Sequence, residues 1–110
     1  MDKTNLAEEV NRLHAEVCSA LADPTRIMLI YALSEGDFNV SELGARLNIS
    51  QPAASRHLKV LHDRGLVRRA RAGTNVVYSL NDLRLVQALD LLREILRDRI
   101  AYGASILELE

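Results

Sequence analysis

The sequence predicts a mainly α-helical fold with one small β-hairpin, and three observations lead there. Apolar residues recur at helical spacing through most of the chain, with cap signals between the runs. Between Leu66 and Leu80 the period shortens toward two around a Gly73-Thr74 tip. Residues 39–64 read as helix, tight turn, helix, directly ahead of that hairpin. A helix-turn-helix with a basic hairpin at its end is a winged helix. The expected unit is a single domain over residues 1–110, with terminal helices that dimerise.

Each element has its own signal. Asn5 with Glu8 fits a capping box, and Leu6, Val10, Leu13, Val17 and Leu21 line one face of a first helix. Asp23-Pro24 then punctuates, with Asp as cap and Pro in the first turn, where its missing N–H does no harm. Ile27, Leu29, Ile30 and Leu33 make a short second helix that Gly36 ends. Asn39 and Glu42 form another capping box, opening a third helix with Val40, Leu43 and Leu47. Asn48-Ile49-Ser50 is a tight turn, and Ser50 caps a fourth helix running to about Arg64, with Gly65 as its stop. Leu66–Ala72 and Asn75–Leu80 form the two-stranded hairpin. A long fifth helix runs from Asp82 to about Leu107, loosened near its end by Gly103.

That fifth helix is apolar over more than half its circumference. A surface helix of a small domain needs an apolar arc of about 100°. The excess, with Leu89, Leu92, Ile95 and Leu96 on it, points to a twofold homodimer. The first helix supplies the second wall through Leu6, Val10, Leu13 and Val17. A helix enclosed within its own domain is the other reading.

Composition bounds the function. Hydrophobic residues make up 48% and charged residues 26%, the balance of a globular chain and not of a disordered one. No apolar run approaches the roughly 20 residues of a membrane helix, and the N-terminal stretch has no signal-peptide core. A cytoplasmic protein without a membrane partner is expected. One cysteine, Cys18, excludes an internal disulfide framework and a four-thiolate zinc ribbon. The net charge of −1 hides an uneven distribution. Residues 1–50 hold four basic and eight acidic side chains, residues 51–75 six and one, and residues 76–110 four and six. A block of +5 between acidic flanks attracts a polyanion, or it is a solvated charged face; charge alone leaves both open.

The fourth helix divides those readings. Ala54, Leu58 and Leu61 lie on one side, and Gln51, Ser55, Arg56 and Lys59 on the other. An amide, a hydroxyl and two cations are the groups that read base edges and grip phosphate. Pro52, Ala53 and Ala54 are small and let the backbone approach a groove closely. Arg68, Arg69 and Arg71 precede the hairpin tip, with Thr74 and Asn75 beside it. Arg68, Arg71, Thr74 and Asn75 are the candidate wing contacts to double-stranded DNA, along the backbone or in the minor groove.

Leu21-Ala22-Asp23-Pro24-Thr25-Arg26 before an apolar helix resembles the opening of the ArsR/SmtB family of bacterial winged-helix repressors. Ser50–Leu61 is similar to that family's recognition helix. Gly65-Leu66-Val67 and the Arg71-to-Leu80 wing resemble the segment that comes next in the family. The resemblance spans about residues 5–100 and implies a dimeric transcriptional repressor on an inverted-repeat operator, released by an inducer that is often a metal ion.

The family's metal sites do not carry over. Its Cys-x-Cys site matches Asn39, Val40 and Ser41, with no thiolate. Its second site, between the long C-terminal helices, matches Asp82, Arg84, Ile95 and Asp98. A guanidinium repels a cation and isoleucine has no donor, so only two carboxylates remain. Arg–Asp pairs across the interface are expected there instead. No cofactor is expected. His14 and Cys18, four residues apart on the first helix, are a thin metal pair. Cys18 alone excludes an intramolecular cysteine switch and leaves packing, the commoner role of a small thiol, or oxidation. His57 reads as a packed, hydrogen-bonded residue in preference to a base contact, and His62 has no evident partner.

The sequence thus predicts a sequence-specific DNA-binding regulator acting as a homodimer. The alternative is a DNA-binding protein with no inducer of its own, controlled by a partner protein or by oxidation of Cys18. A winged helix used only for protein contact sits badly with the +5 block. No nucleophile–base pair or phosphate-cradling glycine loop points to an enzyme.

Overall fold

Residues 3–109 are described by the computed structural model, and side-chain environments within it over residues 5–103. The first helix, α1, runs continuously through an α-helical segment Lys3–Arg12, a π-helical turn Leu13–Cys18 and a closing segment Ser19–Leu21. Then come α2 (Pro24–Ser34), β1 (Phe38–Asn39), α3 (Val40–Leu47), α4 (Gln51–Asp63), β2 (Val67–Ala72), β3 (Asn75–Leu80) and α5 (Arg84–Leu109).

The cap signals fold as chemistry dictates. Asp23 accepts from the Thr25 and Arg26 amides at 2.8 and 3.2 Å. Asn39 and Glu42 close a reciprocal capping box at 2.8 and 3.0 Å. Ser50 accepts from Ala53 at 3.2 Å. Asn48 turns into the left-handed region at φ 55°, and the Ile49 N–H reaches the Gly44 carbonyl at 2.9 Å, closing the turn between α3 and α4. Asparagine tolerates that conformation better than other side chains. At the N-terminus the sequence pattern is corrected. The helix already begins at Lys3, so Asn5 stands in its first turn and not at its cap, within the usual blur of helix boundaries.

The expected two-stranded hairpin is a three-stranded antiparallel sheet of order β1-β3-β2. Phe38 pairs with Tyr78 and Asn39 with Val77. The two-residue strand was invisible in the sequence because no local pattern marks a bridge to a strand about forty residues away. The hairpin itself has the expected register, from Val67–Leu80 to Ala72–Asn75. Asn81 seals its root, donating from Nδ2 to the Gly65 carbonyl at 2.7 Å.

Leu29, Ile30, Leu43, Leu58, Leu61 and Val67 are completely buried, joined by Leu33, Tyr78, Ala20 and Leu89. Each large aliphatic side chain contributes about 1.5–3 kcal/mol of burial. Gly44 lies where α3 meets the turn, and a Cβ there would stand 3.0 Å from the Ile49 carbonyl. Gly44→Val is therefore expected to cost about 1–3 kcal/mol by overpacking, seen as a lower urea midpoint at unchanged slope; an unmoved midpoint would show that the turn yields freely.

The terminal helices leave this core. In α1 every residue from Asn5 to Glu16 is exposed, and only Ala20 is fully buried. In α5 Leu85, Val86 and Leu89 pack inward, while every residue from Leu91 to Tyr102 is exposed. The root of α5 is held to α2 by the Tyr31 hydroxyl, which donates to Asp90 at 2.7 Å, and by Arg93 over the Tyr31 ring. Leu89 is thus a core residue and not a free interface residue: helical spacing marks an apolar face but does not say which neighbour covers it. The helix also passes Gly103 without interruption.

Candidate nucleic-acid interface

The spacing that buries Ala54, Leu58 and Leu61 turns Gln51, Ser55, Arg56 and Lys59 outward, and all four are exposed. Gln51 sits in the first turn of α4, its Nε2 donating to Ser41 Oγ at 3.2 Å. That bond ties the starts of the two helices together. Lys59 pairs with Asp63 one turn on, Nζ to Oδ2 at 2.9 Å, and this hydrogen bond holds the Asp63 carboxyl below its ordinary value. Among the described residues Arg56 makes no ion pair, so its guanidinium is available.

In the wing Arg68, Arg71, Thr74 and Asn75 are all exposed. Strand alternation sorts the arginines in a way the sequence grouping did not. Arg69 lies opposite Tyr78 and Arg71 opposite Val76, on the face of buried Val67. Arg68 lies opposite Ser79 on the reverse face. Val40, at the start of α3, borders the Arg69 and Arg71 side of the sheet. The face continuous with the helix-turn-helix therefore carries Arg69 and Arg71.

His57 is half-buried, with Nδ1 3.4 Å from Arg26 Nη1, the packed role its position suggested. His62 lies 3.8 Å from Asp63. Asp23 shares the Arg26 neighbourhood. Desolvation pushes its carboxyl up, but the Arg26 and Thr25 amides and the nearby cations outweigh it and leave it below the ordinary value.

One expectation about sensing is corrected. Cys18 is exposed, not packed, because the outer part of α1 has no core beside it. Within the chain Arg84 pairs with Asp82 at 2.6 Å, since two residues suffice for the fork to fold back. Its hydrogen bonds hold the Asp82 carboxyl down to about 2. His14 is exposed on α1, like Cys18. Among the described residues no three His, Cys, Asp or Glu side chains gather as a metal site, and no helix is long and apolar enough to cross a membrane.

Sequence reasoning missed two residues, Arg26 and Arg64. Both send guanidinium groups to backbone carbonyls of α1, Arg64 from far along the chain and Arg26 from just beyond the turn, and no spacing rule signals that.

Known proteins share this arrangement. Residues 23–69 match the family model described as bacterial regulatory protein, arsR family. The chain is 41% identical over 76 residues to the HTH-type transcriptional regulator NmtR of Mycobacterium tuberculosis, covering 69% of this chain but only 63% of that one. It is 32% identical over 92 residues to the biofilm growth-associated repressor of Xylella fastidiosa, covering 84% of this chain and 80% of that protein. The crystal structure of the transcriptional repressor BigR from Xylella fastidiosa superposes with a TM-score of 0.73 at 32% identity, over 86% of this chain and 96% of the other. Winged helix-turn-helix, basic wing and matching relatives agree: the chain belongs to the arsR family of bacterial regulatory proteins.

Proposed function

We propose that this protein is a sequence-specific DNA-binding transcriptional repressor that acts in the cytoplasm as a homodimer on an inverted-repeat operator. The observation that carries the reading is the exposed polar face of α4 beside a cationic wing. A helix end bearing Gln51, Ser55 and Arg56 fits the major groove, where an amide or a guanidinium makes two hydrogen bonds to one base. Lys59 and the wing arginines supply phosphate contacts, which add affinity without sequence information. Thr74 and Asn75 at the wing tip suit the adjacent minor groove. The dimer reading draws on the two apolar helices that leave the core. Leu6, Val10, Leu13 and Val17 on α1, with Leu92, Ile95 and Leu96 on α5, are its interface, and Leu89 anchors the root of α5 beneath it. The Xylella fastidiosa relatives, described as repressors, support the same reading.

Base and phosphate contacts respond differently to substitution. Gln51→Ala and Arg56→Ala are expected to lose about 1–3 kcal/mol of preference for operator over random duplex. Arg71→Ala is expected to weaken binding to every sequence and to make the salt dependence shallower by about one unit. Titrating a fluorescent operator and a random duplex at several salt concentrations checks both. Wild-type discrimination in Gln51→Ala and Arg56→Ala would put a different face of the protein in the groove.

A further inference from the structure

Two arginines cross the gap between α1 and α4. In the π-helical turn the Ser19 N–H reaches back five residues to the His14 carbonyl. An α-helical register would have given that N–H to Ala15. The Ala15 carbonyl instead accepts from the Ser19 hydroxyl at 2.6 Å and from the guanidinium of Arg64. Arg64 stands at the C-terminal cap of α4, and its Nη1 also donates to Ser19 Oγ at 2.7 Å. Arg26 approaches the same end of α1 from α2. Its Nε donates to the Ala20 carbonyl at 2.6 Å and its Nη2 to the Ser19 carbonyl at 3.3 Å, while its Nη1 faces His57 of α4. The last carbonyls of a helix lack intrahelical donors and carry the negative end of its dipole, so cations bind there naturally. Here Arg26, beside α4, binds those last carbonyls, and Arg64, on α4 itself, binds the Ala15 carbonyl that the π-helical turn releases.

We infer that Arg64 and Ser19, supported by Arg26 and His57, are positioning residues that fix the half-site spacing this protein accepts. The inference rests on the proposed reading in which α1 lies in the dimer interface and α4 reads the groove. The twofold axis fixes α1, and the arginine bridges fix α4 relative to α1. Half-sites one turn apart are separated by about 34–36 Å over 10–10.5 base pairs, so one added pair moves a half-site by roughly 3.4 Å and turns it by roughly 34°. A guanidinium hydrogen-bonded at 2.7 Å cannot follow that displacement without breaking. With the bridges cut, what remains between α1 and the body is the packing of Ala20 and Leu21 and the short link to α2.

The test uses duplexes selected by the wild-type protein from a random-sequence pool. Their half-sites are kept while the spacer is lengthened or shortened by one and two base pairs. Wild type is expected to lose about tenfold in affinity per base-pair step, the scale of one mismatched pair. Ser19→Ala removes no charge, and Arg64→Gln keeps a donor without the fork. Arg64→Gln is expected to flatten the loss to about threefold per step, Ser19→Ala, which leaves Arg64 its bond to the Ala15 carbonyl, to a value between that and wild type, and the double variant to go no further than Arg64→Gln, because both act on one bridge. Dimer mass and binding to random duplex are expected to stay at wild-type values in Ser19→Ala. A wild-type spacing profile in Ser19→Ala or Arg64→Gln overturns the inference and leaves the proposed function standing, as does a wild-type protein indifferent to spacing. Selection that yields no inverted repeat overturns the proposed function, and the inference with it.

Discussion

Placing aspartate at Leu92 or Leu96 is expected to convert a dimer at micromolar concentration into a monomer. Leu92 and Leu96 are 59% and 55% exposed within the chain, so neither supports the core of its own protomer. In the proposed dimer each is covered. A buried carboxylate without a partner costs at least about 2 kcal/mol. Twofold symmetry applies the cost twice, and about 4 kcal/mol weakens a dimer roughly a thousandfold. Sedimentation equilibrium reads the mass, and circular dichroism should report an unchanged helical content at the core. A dimer as tight as wild type would move the interface away from α5. The same variants are expected to lose affinity for a full inverted repeat far more than for a single half-site, because only the dimer binds both halves at once.

Leu58→Ala is expected to be among the most damaging single truncations. Leu58 is completely buried on the inner face of α4, within the cluster that includes Leu29, Leu43 and Leu61. Removing it loses transfer energy and leaves a cavity, at a cost of about 2–5 kcal/mol. Domains of this size have total stabilities of about 5–15 kcal/mol, so a large share disappears. Urea unfolding should show a much lower midpoint at unchanged slope. The neighbouring Lys59→Ala is the control. Its pair with Asp63 is exposed, and such pairs contribute about 0–1 kcal/mol. Equal midpoint shifts in the two variants would mean that α4 is not seated on the core by its apolar face.

The helices of the central body were legible because each start is written locally. Asp23-Pro24, Asn39 with Glu42, and Ser50 all act within three residues of themselves, and all three caps form. The inner and outer faces of α4 come from spacing alone. What the sequence concealed depends on distant partners. The Phe38–Tyr78 bridge, the burial of Leu89, the approach of Arg26 to His57 and the reach of Arg64 to α1 are decided by how elements meet. The π-helical turn has no residue signature, since it redistributes hydrogen bonds without changing which residues are helical. The separation of Arg68 from Arg71 was available from strand alternation alone, but which of the two faces meets the body needed the pairing.

The three-stranded sheet has a consequence for how wings of this type can vary. Asn39 both pairs with Val77 and caps α3, so the angle at which the wing leaves the body is set by the same residue that starts the helix-turn-helix. The opposite end is unconstrained. Gly73 takes φ +66° at the tip with no atom near its missing Cβ, and Ala72 and Asn75 close a two-residue loop around it. Residues inserted at Gly73-Thr74 would lengthen the wing without turning it, whereas one inserted at Phe38-Asn39 would slip the strand register and uncap α3 together. Reach and angle are therefore separate variables in this architecture: length can drift or be engineered at the tip, while the direction of the wing is inherited with the fold.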